Sequence, residues 1–179
     1  MLRRGLLLDR DGVINLDKDF VSSREQFEFL PKLFPFLRRA QDLGFRLAIL
    51  TNQSGVARGL YTTKDYDQLT GWLLAALAKE AIVIDLVLAC FEYSEGKVTQ
   101  YRRESFWRKP SPGMVLEAAQ RMRLDLQQSV FLGDSLRDMQ AAQAAAIKTP
   151  LWLTEKPHDV PRGVKVVKNF DEALKVMQS

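Results

Sequence analysis

The chain alternates short, uninterrupted apolar runs with longer segments whose apolar positions recur every three or four residues. Gly5 to Leu8, Phe45 to Leu50, Ile82 to Ala89, Val130 to Leu132, Pro150 to Leu153 and Val164 to Val167 show the first pattern, expected of strands buried on both faces of a parallel sheet. The second pattern predicts helices. Leu33, Phe36, Leu37, Ala40 and Leu43 form one stripe, with Gly44 where a C-terminal cap belongs. Leu69, Trp72, Leu73, Ala76 and Leu77 form another, read as core, behind a Thr62 or Thr63 cap with Asp65 in the first turn. Val115, Leu116, Ala119 and Met122 continue a helix that starts at Ser111 and Pro112. An alanine-rich helix from Leu136 to Ala146 and a short one from Asp171 complete the set. Strands alternating with helices predict an α/β fold with a Rossmann-like, mainly parallel sheet, helices on both faces and right-handed crossovers. Leu16 to Pro31 is too short for a separate cap domain. Cys90 to Trp107 has no sustained period and reads as a long loop, functional or mobile.

Several strands end in polar residues. The first delivers Asp9 and Asp11, then Gly12; the second delivers Thr51, Asn52 and Gln53; that at Val130 delivers Gly133, Asp134 and Ser135, with Asp138 one helical turn on. Arg108 and Lys109 precede a helix. In such sheets ligands bind beyond the carboxyl ends of the strands, so these clusters are predicted to be one place. Close carboxylates repel each other, and a hard divalent cation with oxygen ligands is the natural compensator.

Composition mainly excludes. The length, 179 residues, predicts one domain over 1–179. The 26 Lys and Arg against 22 Asp and Glu leave a charge of +4, too small and scattered to indicate nucleic acid. No apolar run approaches membrane-spanning length and no signal-peptide core is visible, so a soluble, cytoplasmic protein is expected. With one cysteine, Cys90, and one histidine, His158, the chain cannot form an internal disulfide or a four-ligand Cys/His zinc site. His158 sits in a polar, Pro-flanked loop without a nucleophile motif nearby, which argues against a Ser-His-Asp triad. Carboxylate and hydroxyl chemistry remains.

The ordered set Asp9-x-Asp11-Gly12-Val13, strand-terminal Thr51, Lys109 and Gly133-Asp134-Ser135-x-x-Asp138 resembles the haloacid dehalogenase (HAD) superfamily of phosphatases. More narrowly, Asp9 to Asn15, Thr51 to Gly59 and Arg108-Lys109-Pro110-x-Pro112-Gly113-Met114 are similar to the D-glycero-D-manno-heptose 1,7-bisphosphate phosphatases. The related histidinol-phosphate phosphatases share much of this pattern. The resemblance runs from about Leu6 to the end of the chain. It implies a HAD-like fold without a large cap, Mg²⁺ as cofactor and a small phosphate ester as substrate. It also implies conversion of the heptose 1,7-bisphosphate to the 1-phosphate, a step in making nucleotide-activated heptose for lipopolysaccharide. Mg²⁺ would be held by the Asp9 carboxylate, the Asp11 backbone carbonyl and Asp134, with Asp138 as an anchor behind them. Where such heptose enzymes commonly carry three cysteines and a histidine on zinc, this chain has Cys90, Glu92, Ser105 and Trp107, so no zinc is expected.

Hydrolysis of a phosphate monoester needs a nucleophile, charge neutralisation and a proton for the leaving group. Asp9 is the expected nucleophile, forming an aspartyl-phosphate, and Asp11 the acid and then base. Thr51 and Lys109 are expected to stabilise the phosphoryl oxygens. Without a cap, selectivity falls to the rim. The resemblance assigns substrate contacts to Asp17, Lys18, Asp19 and Phe20, to Asn52, Gln53, Ser54 and Arg58, and to Arg108, with Ser135 where a second lysine often stands. A monomer is expected. Two alternatives are a phosphatase for histidinol phosphate or another sugar phosphate, and a phospho-aspartate signalling receiver without turnover.

Overall fold

A computed structural model describes residues 2–178. Six parallel strands form one sheet: β1 (Gly5–Leu8), β2 (Arg46–Asn52), β3 (Leu86–Cys90), β4 (Val130–Gly133), β5 (Thr149–Leu153) and β6 (Lys165–Val167), in the order β3-β2-β1-β4-β5-β6. The order reverses between β1 and β4, the switch point where open α/β sheets bind ligands. The helices are α1 (Leu33–Asp42), α2 (Gly55–Arg58), α3 (Thr63–Lys79), α4 (Gly113–Met122), α5 (Leu136–Ala144) and α6 (Phe170–Gln178). Among the described residues there is no large cap.

Alternate strand residues feed two cores, which is why the central runs have no polar interruption. Leu6, Leu8, Leu47, Ile49, Val130 and Leu132 face one core, with α1, α3 and α6. Leu7, Ala48, Leu50, Leu88 and Phe131 face the other, with α4 and α5. The Leu16–Pro31 segment packs on the first core, where Phe27 and Phe29 meet Trp72 edge-on or tilted at 5.3 and 5.8 Å. The Trp72 stripe is therefore core, as its spacing predicts.

Local signals place most helix ends. Thr62 and Asp65 form a reciprocal capping box at the start of α3, and Gly44, at φ +84°, follows α1. The start of α4 differs from expectation: its N-cap is Pro112, with Gly113 its first residue, and Ser111 lies in the turn before it. The third strand is shorter than its β-branched run. Ile82 to Asp85 form the approach to β3, because Asp85 turns its carboxylate to the Leu47 N–H at 2.9 Å and to Arg46. Among the described residues no helix is long and apolar enough to cross a membrane.

Candidate active site

The carboxyl ends of β1, β2 and β4 and the turn before α4 surround a cavity of about 290 Å³. At its base lies Lys109, buried to 2% exposure although charged. Its ammonium lies 2.9 Å from Asp9 Oδ1 and 2.6 Å from Asp138 Oδ1, and donates to the Leu50 carbonyl at 2.8 Å. Three acceptors thus meet the three donors of an ammonium. Burial opposes its charge, but Asp138 and Asp9 outweigh that and raise the Lys109 pKa. The Lys109–Pro110 peptide is cis.

Asp138 is fully buried behind this group. Its second oxygen accepts from the Ser135 hydroxyl at 2.6 Å and the Ser135 N–H at 3.1 Å, closing the first turn of α5. Gly133 stands where a side chain would overlap Asp138. Ser135 lines the cavity, but its hydroxyl is turned to Asp138.

Asp9, Asp134 and Asp138 bring carboxylate oxygens within 4.8 Å of one another. Burial, then the Asp138 charge, holds the Asp9 carboxyl well above the usual carboxylate range against the opposing pull of Lys109. The same two causes push Asp134 up to about 7. Gly12, at φ +78°, matters twice: the turn needs that conformation, and any side chain there would overlap the Asp134 carboxylate. Three carboxylates around one ammonium leave a deficit of positive charge that a hard divalent cation fits.

Asp11 is oriented from three sides. Arg10, buried to 2%, reaches its two oxygens from Nε at 3.2 Å and Nη2 at 3.0 Å, and anchors on the Val21 carbonyl at 2.7 Å. Asn15 donates to Oδ1 at 2.9 Å and Gln53 to Oδ2 at 3.0 Å. Gln53 also donates to the Thr51 hydroxyl at 2.7 Å and accepts from the Tyr61 hydroxyl at 2.5 Å. Thr51 is buried and does not line the cavity; Asn52 does, yet both ends of its carboxamide hold the Lys109 backbone.

Asp17, Asp19, Phe20, Ser54, Arg58 and Arg108 line the rim. Lys18 lies outside it, because its ammonium turns to Glu28 at 2.8 Å. Arg10, Asn15, Tyr61, Tyr93 and Arg137 are additions. Tyr61 could be found only through Gly55, whose missing side chain leaves room for the Tyr61 ring. Arg58 and Arg108 lie over the Tyr93 ring at 4.2 and 4.9 Å.

A HAD-hydrolase-like family model matches residues 106–173. The D-glycero-beta-D-manno-heptose-1,7-bisphosphate 7-phosphatase of Helicobacter pylori is 38% identical over 176 residues, 98% of each chain. The chain belongs to the heptose bisphosphate phosphatase family. A Burkholderia mallei member, named for the alpha anomer of the same substrate, is 39% identical over 87% of this chain and 82% of its own. Within the family, the solved D,D-heptose 1,7-bisphosphate phosphatase of B. bronchiseptica, complexed with magnesium and phosphate, superposes with a TM-score of 0.85. It is 31% identical and 98% of each chain is covered.

Proposed function

We propose that this protein removes the 7-phosphate of D-glycero-D-manno-heptose 1,7-bisphosphate in a Mg²⁺-dependent reaction through an aspartyl-phosphate on Asp9. One observation carries the reading: a carboxylate 2.9 Å from a buried lysine at the sheet's switch point, in a chain 38% identical to such an enzyme across 98% of its length.

Asp9 and Asp134 would hold Mg²⁺, with the Asp11 carbonyl, while Asp138 is already occupied by Lys109 and Ser135. When bound, the cation supplies positive charge that neutralises the phosphoryl oxygens and keeps the carboxylates ionised. Asp9 attacks phosphorus and the bond to the leaving oxygen breaks. Lys109, already beside Asp9, shares its charge with the transferring group. Asp11, fixed by Arg10, Asn15 and Gln53, gives a proton to the leaving oxygen and later takes one from the attacking water. Thr51 acts through Gln53, the group that joins it to Asp11.

The Cys90–Trp107 loop is proposed to hold its shape without zinc. Burial pushes the Cys90 thiol up to about 11, so the thiol stays protonated in this loop. Glu92 is engaged by Arg103 at 2.8 Å and by the Cys90 Sγ at 3.4 Å, and Trp107 packs on the second core.

Phosphate release from both anomers of the heptose bisphosphate, from heptose 7-phosphate and from histidinol phosphate, each with Mg²⁺, tests the assignment. The expected result is the highest kcat/KM on a heptose bisphosphate. Histidinol phosphate outperforming every sugar bisphosphate would overturn the proposed substrate.

A further inference from the structure

Three arginines line the cavity, Arg58, Arg108 and Arg137, and among the described residues none is in an ion pair. The acids on the same rim, Asp17 and Asp19, form no ion pair with them. Arg58 and Arg108 share the Tyr93 ring, and the Nε of Arg58 is buried without a hydrogen-bond partner. Arg108 gives one long hydrogen bond, 3.4 Å, to the Glu92 carbonyl. Burial, and then the positive charges of Arg137 and Arg58, hold the Arg108 guanidinium below its usual range. Arg108 therefore feels the positive charge of both Arg137 and Arg58.

Arg137 is the least expected of the three. It is exposed and lies in the first turn of α5, where the helix dipole disfavours a cation. Among the described residues no hydrogen bond or ring contact holds it. Two residues earlier, Ser135 faces the cavity but gives its hydroxyl to Asp138, so it offers no charge to a ligand. An unpaired guanidinium beside two others, above a phosphoryl-transfer centre, is suited to a second anion. Its planar fork can hold two phosphate oxygens at once.

We infer that Arg137 completes, with Arg58 and Arg108, the subsite for the phosphate that is not transferred, and so sets the preference for a bisphosphorylated sugar over its monophosphate. Tyr93 acts as the platform that keeps two of the three side chains aimed inward. The inference rests on the proposed heptose bisphosphate activity and assigns part of its selectivity to a residue on α5.

The test compares wild type, Arg137→Ala and Arg137→Lys on heptose 1,7-bisphosphate and heptose 7-phosphate at fixed Mg²⁺. The quantity read is the ratio of the two kcat/KM values. For Arg137→Ala the ratio is expected to fall roughly tenfold to a hundredfold, the worth of one or two charge-assisted hydrogen bonds, and mainly through KM for the bisphosphate. Arg137→Lys, which keeps the charge and loses the fork, should fall between the two. An unchanged ratio, whether both activities drop together or neither does, overturns the inference and leaves the proposed function standing. A wild-type enzyme inactive on the heptose bisphosphate overturns both.

Discussion

The Asn52 carboxamide holds both polar groups of the Lys109 backbone: it accepts the N–H at 3.1 Å and donates to the carbonyl at 2.9 Å. These bonds tie the end of β2 to the residue whose ammonium meets the proposed nucleophile. Asn52 thus positions Lys109. Asn52→Ala should lower kcat by about 10–100-fold, because misplacing a catalytic group by an ångström costs about that much. It should also lower stability by about 1–3 kcal/mol through the unpaired backbone groups. Steady-state kinetics with urea unfolding checks both. A wild-type kcat with only KM raised would return Asn52 to direct substrate contact.

Asp11→Asn removes the transferable proton yet keeps a side chain of the same shape between Arg10, Asn15 and Gln53. Turnover of the sugar phosphate should fall by about 10²–10⁴. The loss should be smaller on p-nitrophenyl phosphate, whose leaving group departs without protonation. Equal losses on both would assign Asp11 a role in binding or in metal placement.

Mg²⁺ affinity should depend on pH. With Asp134 pushed up to about 7, a proton competes with the cation at that carboxylate below neutrality. Calorimetric affinity is expected to fall as pH drops from 8 to 6, with proton release at the lower end. The metal-free protein should show the opposite trend in stability. A carboxyl whose pKa is higher folded than unfolded stabilises the fold at low pH, and that contribution is lost as pH rises through about 7. Affinity independent of pH over this range would contradict the electrostatic account.

Elemental analysis of untagged protein should find no stoichiometric zinc. Glu92→Ala is expected to loosen the Cys90–Trp107 loop, seen as faster proteolysis between those residues, because Arg103 and the Cys90 thiol both lose their partner. One zinc per chain, or zinc-dependent protection of the loop, would contradict this.

The sheet and the strand-end cluster were legible because each depends on local chemistry. Strands buried on both faces must be continuously apolar, as Leu6 to Leu8 and Leu47 to Leu50 are, and polar residues at their ends must gather at one edge. The rest depends on long-range geometry. Nothing in an isolated Arg10 distinguishes a surface charge from a buried brace for Asp11, and Asn52 reads as a ligand contact until its partner 57 residues away is known. The short α2 is below the length at which periodicity speaks. Asp85 cuts the third strand short by serving Leu47. Lys18 fell in a rim segment, yet Glu28 draws it away.

The central claim is that Asp9 carries the phosphate. Rapid acid quench of the Mg²⁺-loaded enzyme with heptose 1,7-bisphosphate carrying ³²P in the 7-phosphate, and a parallel quench with unlabelled substrate reduced by tritiated borohydride and peptide-mapped, test it directly. The predicted result is transient ³²P on the protein, decaying at least as fast as turnover, tritiated homoserine in place of Asp9 in the reduced sample, and neither label in Asp9→Asn. Full turnover with no covalent label, near wild-type activity in Asp9→Asn, or a label that persists for minutes without phosphate release would contradict it.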